Sequence, residues 1–455
     1  MNKNKRSTFS GKLGFVLSAA GASVGLGNIW RFPYLAAKYG GGIFLLIYII
    51  LALTFGYTMI MAETSLGRMT KKSPVGAYQS FGKSKWLSLG GWINAIIPIL
   101  IVPYYSVIGG WVIKYLVGYF SGQTQALASD TYFSAFISNG ASTEICFIVF
   151  TFCTLGIIYA GVQNGIERVS KFMMPVLVVL SVIIAIYSVT RPGALEGVKY
   201  FLVPNLANFS WMTVVSAMGQ MFYSLSIAMG ILVTFGSYML KDMSIEDSTQ
   251  NVEIFDTAIA IMAGLMIIPA VFAFSGGDPN TLKAGPALMF ITIPKVFANM
   301  GLGTGIGILF FLLVLFAAMT SSIALTESAV STFEDELYWG RKKSTIVMAV
   351  IMVSLGSLSC LGYGPLANVT IIGMQFLDFF DFLTNSVMMP IAAIATCLLV
   401  SKVIGVKKIE EEVTLESKPF RRKKISYFMI QYLCPVFATI ILISSVANAF
   451  GWISM

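Results

Sequence analysis

The sequence predicts an all-α polytopic membrane protein, with two five-helix repeats of opposite topology followed by an eleventh helix. Three observations predict it. Hydrophobic residues make up 56% of the 455-residue chain and charged ones 11%, with a mean hydropathy of +0.81. A typical soluble domain carries about 25% charged residues. A hydropathy reading at about 20 residues per span finds eleven candidate helices. Two of these, the first and the sixth, are interrupted near their middles by glycine, serine and asparagine.

The eleven apolar stretches fall near residues 12–37, 41–67, 88–120, 142–160, 167–190, 212–240, 254–275, 303–333, 345–363, 367–401 and 426–453. They divide the chain into an N-terminal tail (1–11), a first repeat (12–190), an outer loop (191–211), a second repeat (212–401), a basic loop (402–425) and the eleventh helix (426–455). The stretch from Lys402 to Lys424 holds eight Lys and Arg, whereas Ser121 to Ala141 holds none. The positive-inside rule then places the N-terminus in the cytoplasm of a cell (inner or plasma) membrane, and an odd span count places Met455 outside. Between Gly276 and Leu302, "FITIPKVFANM" is too short to span and reads as an amphipathic helix over the outer mouth.

Several function classes are excluded. Histidine is absent, which removes histidine proton relays, haem axial histidines and ordinary zinc sites. An enzyme is disfavoured because no nucleophile–base pair or metal cluster remains. The five cysteines (Cys146, Cys153, Cys360, Cys397, Cys434) lie in apolar stretches without CxxC spacing and read as small hydrophobes. The pI near 9.1 comes from membrane-flanking loops and needs no nucleic acid. A basic start (Lys3, Lys5, Arg6, Lys12) runs straight into the first span, with no cleavable signal evident.

The interruptions carry the chemistry. Residues 21–31 read "GASVGLGNIWR". Glycine costs about 1 kcal/mol against alanine within a helix, and a mid-membrane arginine at least about 2.5 kcal/mol. About 200 residues on, "GQMFYSLSIAMG" (Gly219–Gly230) interrupts the sixth span. Paired interruptions in corresponding halves point to a binding site at the membrane midplane. Unwound backbone frees carbonyls for a cation, and half-helix N-termini offer amides to an anion. The alternative is that these glycines are helix-packing contacts. Asn28 and Arg31 beside the first break weigh against it.

Four strings, "VGLGNIWRFPYLAAKYGGGIFLLIY", "YYSVIGGW", "FAAMTSSIALTES" and "DFLTN", together resemble the neurotransmitter:sodium symporter family, in particular its eleven-span bacterial amino-acid transporters. The resemblance implies two sodium sites. The first matches Ala22, Asn28, Ser224 and Asp256; the second matches Gly21, Val24 and Ala317 through carbonyls and Thr320 and Ser321 through hydroxyls. Hydroxyls in "TSS" can instead bond back to their own helix. A chloride site of some relatives matches Tyr48, Gln220 and Ser224, but Asp256 implies a fixed carboxylate in its place. An interfacial acid at a helix start is the other reading of Asp256.

In monoamine-carrying relatives an aspartate stands at the position of Gly25. A glycine there implies a zwitterionic α-amino acid, its carboxylate held by amides around Gly25 and Gly27, the first sodium and the Tyr105 hydroxyl. The amine would bond carbonyls near Ala22 and in the sixth-span break. Ile101, Tyr105, Tyr223, Ser226, Met229, Ser322 and Leu325 would line an uncharged side-chain pocket suited to apolar or aromatic substrates. Ala228 stands where close relatives often have glycine. Arg31 and Asp381 match an outer gate, with Asp378 as a rival and Tyr223 as a lid. Arg6 and Asp335 match an inner latch near Phe9 and Tyr238, unless Asp335 is a solvated helix end. "GIERVSKFMMP" places Gly165 and Pro175 where the fifth span could unwind.

The expected function is sodium-coupled, chloride-independent import of hydrophobic or aromatic L-amino acids by alternating access. Proton coupling through Asp256 or Glu63, and a channel or nutrient receptor on the same scaffold, remain as alternatives. The implied partners are a small amino acid, sodium ions and the lipid bilayer; a homodimer is left open.

Overall fold

The computed structural model describes residues 6–276, 285–415 and 420–452. Lys3 and Lys5 of the basic start and Met455 lie outside them. Among the described residues nine unbroken helices are long and apolar enough to cross a membrane. A tenth crossing is the pair Lys12–Ser23 and Gly27–Lys38, bent by 53° at its break. The eleventh is Trp211–Ser224 followed by Ile231–Tyr238, split at residues 225–230. The side of the bundle bearing Arg6 is called inner below.

The unbroken spans are Gly42–Thr70, Lys85–Phe120, Gly140–Tyr159, Val162–Val189, Ile245–Ser275, Gly303–Glu336, Arg341–Leu361, Phe376–Ile404 and Lys423–Ala449. Two boundaries differ from the sequence reading. The seventh span begins at Ile245, capped by the Ser244 hydroxyl accepting from the Asp247 amide. Asp256 therefore stands three turns inside a helix, and the interfacial reading of that acid falls. The tenth span begins at Phe376, because residues 362–375 form turns with a bridge between Ile371 and Met374. Of "FITIPKVFANM", Phe290 to Ala298 are helical as expected, as part of Leu288–Ala298, and Asn299 and Met300 form the turn after it. Gly165 lies in a wound, π-type turn at the start of the fifth span, so that end is helical in this conformation.

Both breaks have a backbone cause. In the first, Val24 is extended (φ −74°, ψ 96°), which ends the helix. In the sixth, Ser226, Ala228 and Gly230 all have positive φ (52°, 60° and 70°). Left-handed backbone costs a non-glycine residue about 1–2 kcal/mol. Here it is held in place: the Ala228 amide donates to Glu63 Oε1 at 2.9 Å, and the Ser226 hydroxyl donates to the Ala22 carbonyl at 3.0 Å. The second bond ties one break to the other.

Small residues set how closely the spans approach. A Cβ on Gly67 would meet Val233 O at 2.0 Å, and one on Gly236 would meet Thr64 O at 2.4 Å. The second span and the inner half of the sixth thus touch backbone to backbone. Overpacking of this kind costs about 1–3 kcal/mol. Gly236→Ala should lower the melting temperature of the purified protein measurably, whereas Gly156→Ala, with nothing within 4 Å, should not. Equal melting temperatures for the two variants would contradict this packing.

Candidate functional site

The two breaks meet at the centre of the bundle around a cavity of about 30 Å³. It is lined by Ala22, Gly25, Gly27, Ile101, Tyr105, Tyr223, Ser226, Met229 and Leu325, all expected from the sequence, and also by Ser23, Leu26 and Ile231. Ser322 is the exception. It is fully buried and pairs with the Thr154 hydroxyl at 3.2 Å instead of facing the cavity. The glycines are required by proximity. A Cβ on Gly25 would lie 2.7 Å from Ser321 Oγ and 3.1 Å from the Tyr105 hydroxyl, and one on Gly27 would lie 2.5 Å from the Tyr223 ring. The Leu26 amide donates to the Tyr105 hydroxyl at 3.3 Å.

Beside the cavity sits a carboxylate node. Asp256 is fully buried. Its Oδ1 accepts from Asn28 Nδ2 at 2.8 Å and from Ser224 Oγ at 3.0 Å, and its Oδ2 accepts from the Tyr48 hydroxyl at 3.1 Å. Asn28 Oδ1 accepts from the Gly25 amide at 3.1 Å. Among the described residues no Lys or Arg pairs with Asp256. A buried carboxylate with neutral donors alone is expensive, and a cation in this oxygen-rich place would offset that cost. Gln220 donates to the Gly27 carbonyl at 3.0 Å, while its own Oε1 has no partner. Tyr48 and Ser224, two of the three residues matching a chloride site, are thus engaged by Asp256.

A second oxygen cluster joins the eighth span to the first break. Ser321 Oγ lies 3.4 Å from Gly21 O, 3.2 Å from Ala22 O and 3.3 Å from Val24 O. Thr320 Oγ1 bonds back to Phe316 O and Ala317 O at 3.0 and 3.1 Å. Back-bonding to its own helix therefore describes Thr320 but not Ser321, which reaches across. Carbonyl and hydroxyl oxygens of this kind are hard ligands suited to an alkali cation.

The two pairs expected to form gates differ: one is made and the other is not. On the outer side Arg31 lies over the Tyr223 ring at 5.4 Å, and Asp381 accepts from the Tyr104 hydroxyl at 3.2 Å and from Asn385 Nδ2 at 2.5 Å. Arg31 and Asp381 line one cavity of about 360 Å³ without forming an ion pair. The expected pairing is absent from this conformation because each group has other partners. Asp378 bonds to Tyr363 instead.

On the inner side the expected ion pair is formed. Arg6 pairs with Asp335 at 2.5 Å and donates to Ser237 and Ser331 at 2.7 and 2.9 Å. The Phe9 amide donates to Tyr238 O, and its ring packs edge-on against Tyr238. Asp335 also accepts from the Ser73 amide at 2.6 Å, so it is not a free helix end.

Sequence reasoning missed the pair beneath the latch. Glu327 accepts from the Tyr238 hydroxyl at 2.7 Å and pairs with Arg341 at 2.5 Å. Its signal was present: it is an acid within an apolar span. Glu327 is fully buried, whereas the Asp335 side chain is 23% exposed. Arg341→Gln should therefore cost about 3 kcal/mol of stability by stranding a buried charge, and Arg6→Gln about 1 kcal/mol or less. Melting curves of the two variants check this, and a larger loss for Arg6→Gln would contradict it.

Comparison with known proteins agrees with this geometry. Residues 6–131 and 119–451 match the profile of the sodium:neurotransmitter symporter family. The chain is 36% identical over 422 residues to YhdH, a sodium-dependent transporter of Bacillus subtilis (strain 168), covering 92% of each chain. It is 32% identical over 461 residues to a sodium-dependent transporter of Haemophilus influenzae, covering 98% of this chain and 99% of that one. The crystal structure of MhsT in complex with L-phenylalanine superposes with a TM-score of 0.86 at 34% identity, over 97% of this chain and 100% of that one. The paired broken helices and the eleven-span layout therefore have a common explanation: this chain belongs to the sodium:neurotransmitter symporter family, a family of sodium-dependent membrane transporters and not of enzymes.

Proposed function

We propose that this transporter couples sodium to the import of hydrophobic or aromatic L-amino acids across the cell membrane, with its N-terminus in the cytoplasm and without chloride. The observation that carries the reading is the node of Asp256, Asn28, Ser224 and Tyr48 beside a glycine-lined, uncharged cavity. That MhsT is crystallised with L-phenylalanine supports the substrate class.

The first sodium sits between Ala22 O, Asn28 Oδ1, Ser224 and Asp256, and the second between Gly21 O, Val24 O, Ala317 O, Thr320 and Ser321. Gly25 brings no charge, so the substrate's carboxylate completes the first sodium's shell, with the Tyr105 hydroxyl donating to it. The cavity of about 30 Å³ holds about two waters and must widen for a side chain. Met229, unbranched and flexible, is the lining residue best able to yield. Sodium and substrate together draw Arg31 and Asp381 toward each other; loss of the second sodium releases the inner latch. Each sodium crossing 100 mV supplies about 2.3 kcal/mol, equivalent to about fifty-fold accumulation.

Competition binding tests the reading. L-phenylalanine should displace a labelled aromatic amino acid at micromolar concentration in sodium, while phenethylamine, lacking the carboxylate, should not. Asn28→Ala should weaken sodium-dependent binding at least about tenfold, equivalent to about 1.4 kcal/mol. Equal affinity for the amine and the amino acid would overturn the assignment of Gly25. Accumulation driven by a pH gradient in the absence of sodium would overturn the coupling.

A further inference from the structure

The segment between the tenth and eleventh spans reads in sequence as a generic basic loop, yet it makes specific buried contacts. Its helix Val406–Val413 turns Val406, Ile409 and Val413 inward, and it packs on the second span. Arg68, in the last turn of that span and 1% exposed, donates from Nε to Glu412 Oε1 at 2.6 Å. Its two other nitrogens reach Glu412 O and Met243 O. Lys71 reaches Met239 O. Farther along, Arg422 donates to both oxygens of Glu253 at 3.0 Å and lies over the Tyr57 ring at 4.4 Å. The Glu253 side chain is 2% exposed. The Arg421 amide donates to both oxygens of Glu246.

The Arg68 and Lys71 contacts reach the seat of the inner latch, and the Arg422 and Arg421 contacts hold the start of the seventh span that follows it. Met239 follows Tyr238, whose carbonyl accepts from Phe9, and Ser237, which accepts from Arg6. The Asp335 carboxylate of the latch is held by Ser73, two residues beyond Lys71. Two described parts of this connection therefore hold the end of the sixth span's inner half and the start of the seventh span: Val406–Val413, next to the tenth span, and Arg421 with Arg422, next to the eleventh.

We infer that Glu412 and Arg422 are positioning residues of the inner gate. Through Arg68 and Glu253 they fix the platform on which Arg6 and Phe9 dock, and so favour the inward-closed state. Neither touches the sodium or substrate clusters. The inference rests on the alternating-access reading above and adds a regulatory element to it.

Hydrogen exchange of the full-length protein in nanodiscs, without sodium, tests it. Glu412→Gln, Arg422→Gln and the double variant are used, because Arg68 has too many buried acceptors to be replaced safely. The double variant should raise exchange at Lys12–Ser23 at least about threefold while leaving Gly140–Tyr159 unchanged, and Arg422→Lys should behave as wild type. Unchanged exchange at Lys12–Ser23 in the double variant would overturn the inference. So would an equal rise in every span, which marks general destabilisation. Exchange measured without ligand does not depend on substrate identity, so a failure of phenylalanine to bind is distinguishable from a failure of this connection.

Discussion

Backbone that leaves the helix inside a membrane must find partners for its amides and carbonyls, and the rest of this structure is arranged around that need. Lipid supplies none. Residues 24–26 and 225–230 are surrounded by protein, and the chain meets their demands with side chains of unusual polarity for their depth. Asn28 serves the Gly25 amide with its oxygen and Asp256 with its nitrogen. Glu63, fully buried, holds the Ala228 amide with one oxygen while the other stays unpartnered. The carbonyls left over, those of Gly21, Ala22 and Val24, turn toward Ser321 and form a polar cluster with no fixed positive charge.

That surplus of oxygen connects structure to transport. A cluster that is rich in acceptors and short of cations is stabilised by a mobile cation, and its stability then depends on whether the cation is present. The gates show the same economy of fixed charge. The Arg6–Asp335 ion pair is partly exposed and contributes little, whereas the nearby Glu327–Arg341 pair is buried and costly to break. On the outer side Arg31 and Asp381 stand apart with neutral partners.

Much of this was legible in the chain. The broken spans announced themselves because glycine, asparagine and arginine are each unfavourable in a membrane helix. Asp256 did so as a lone acid in an apolar run. Rotation about a helix axis was not legible. Thr320, Ser321 and Ser322 are adjacent, but successive residues on a helix point about 100° apart, so Ser322 faces Thr154 and only its neighbours face the first break. Partners distant in sequence were hidden as well. The pairings of Glu327 with Arg341 and of Arg68 with Glu412 join residues that only the fold brings together. The start of the tenth span was misplaced because residues 367–375 are apolar enough for a helix, while Gly373 (φ 74°) and Ile372 (φ 52°) make a turn.

The central claim is that Asp256 provides the fixed negative charge at the helix break. Phenylalanine uptake into sodium-loaded-outside proteoliposomes, with all chloride replaced by gluconate, tests it most directly. Uptake by the native protein should be undiminished, and uptake by Asp256→Asn should be either lost or restored only by chloride. A native protein that stops transporting when chloride is removed would contradict it.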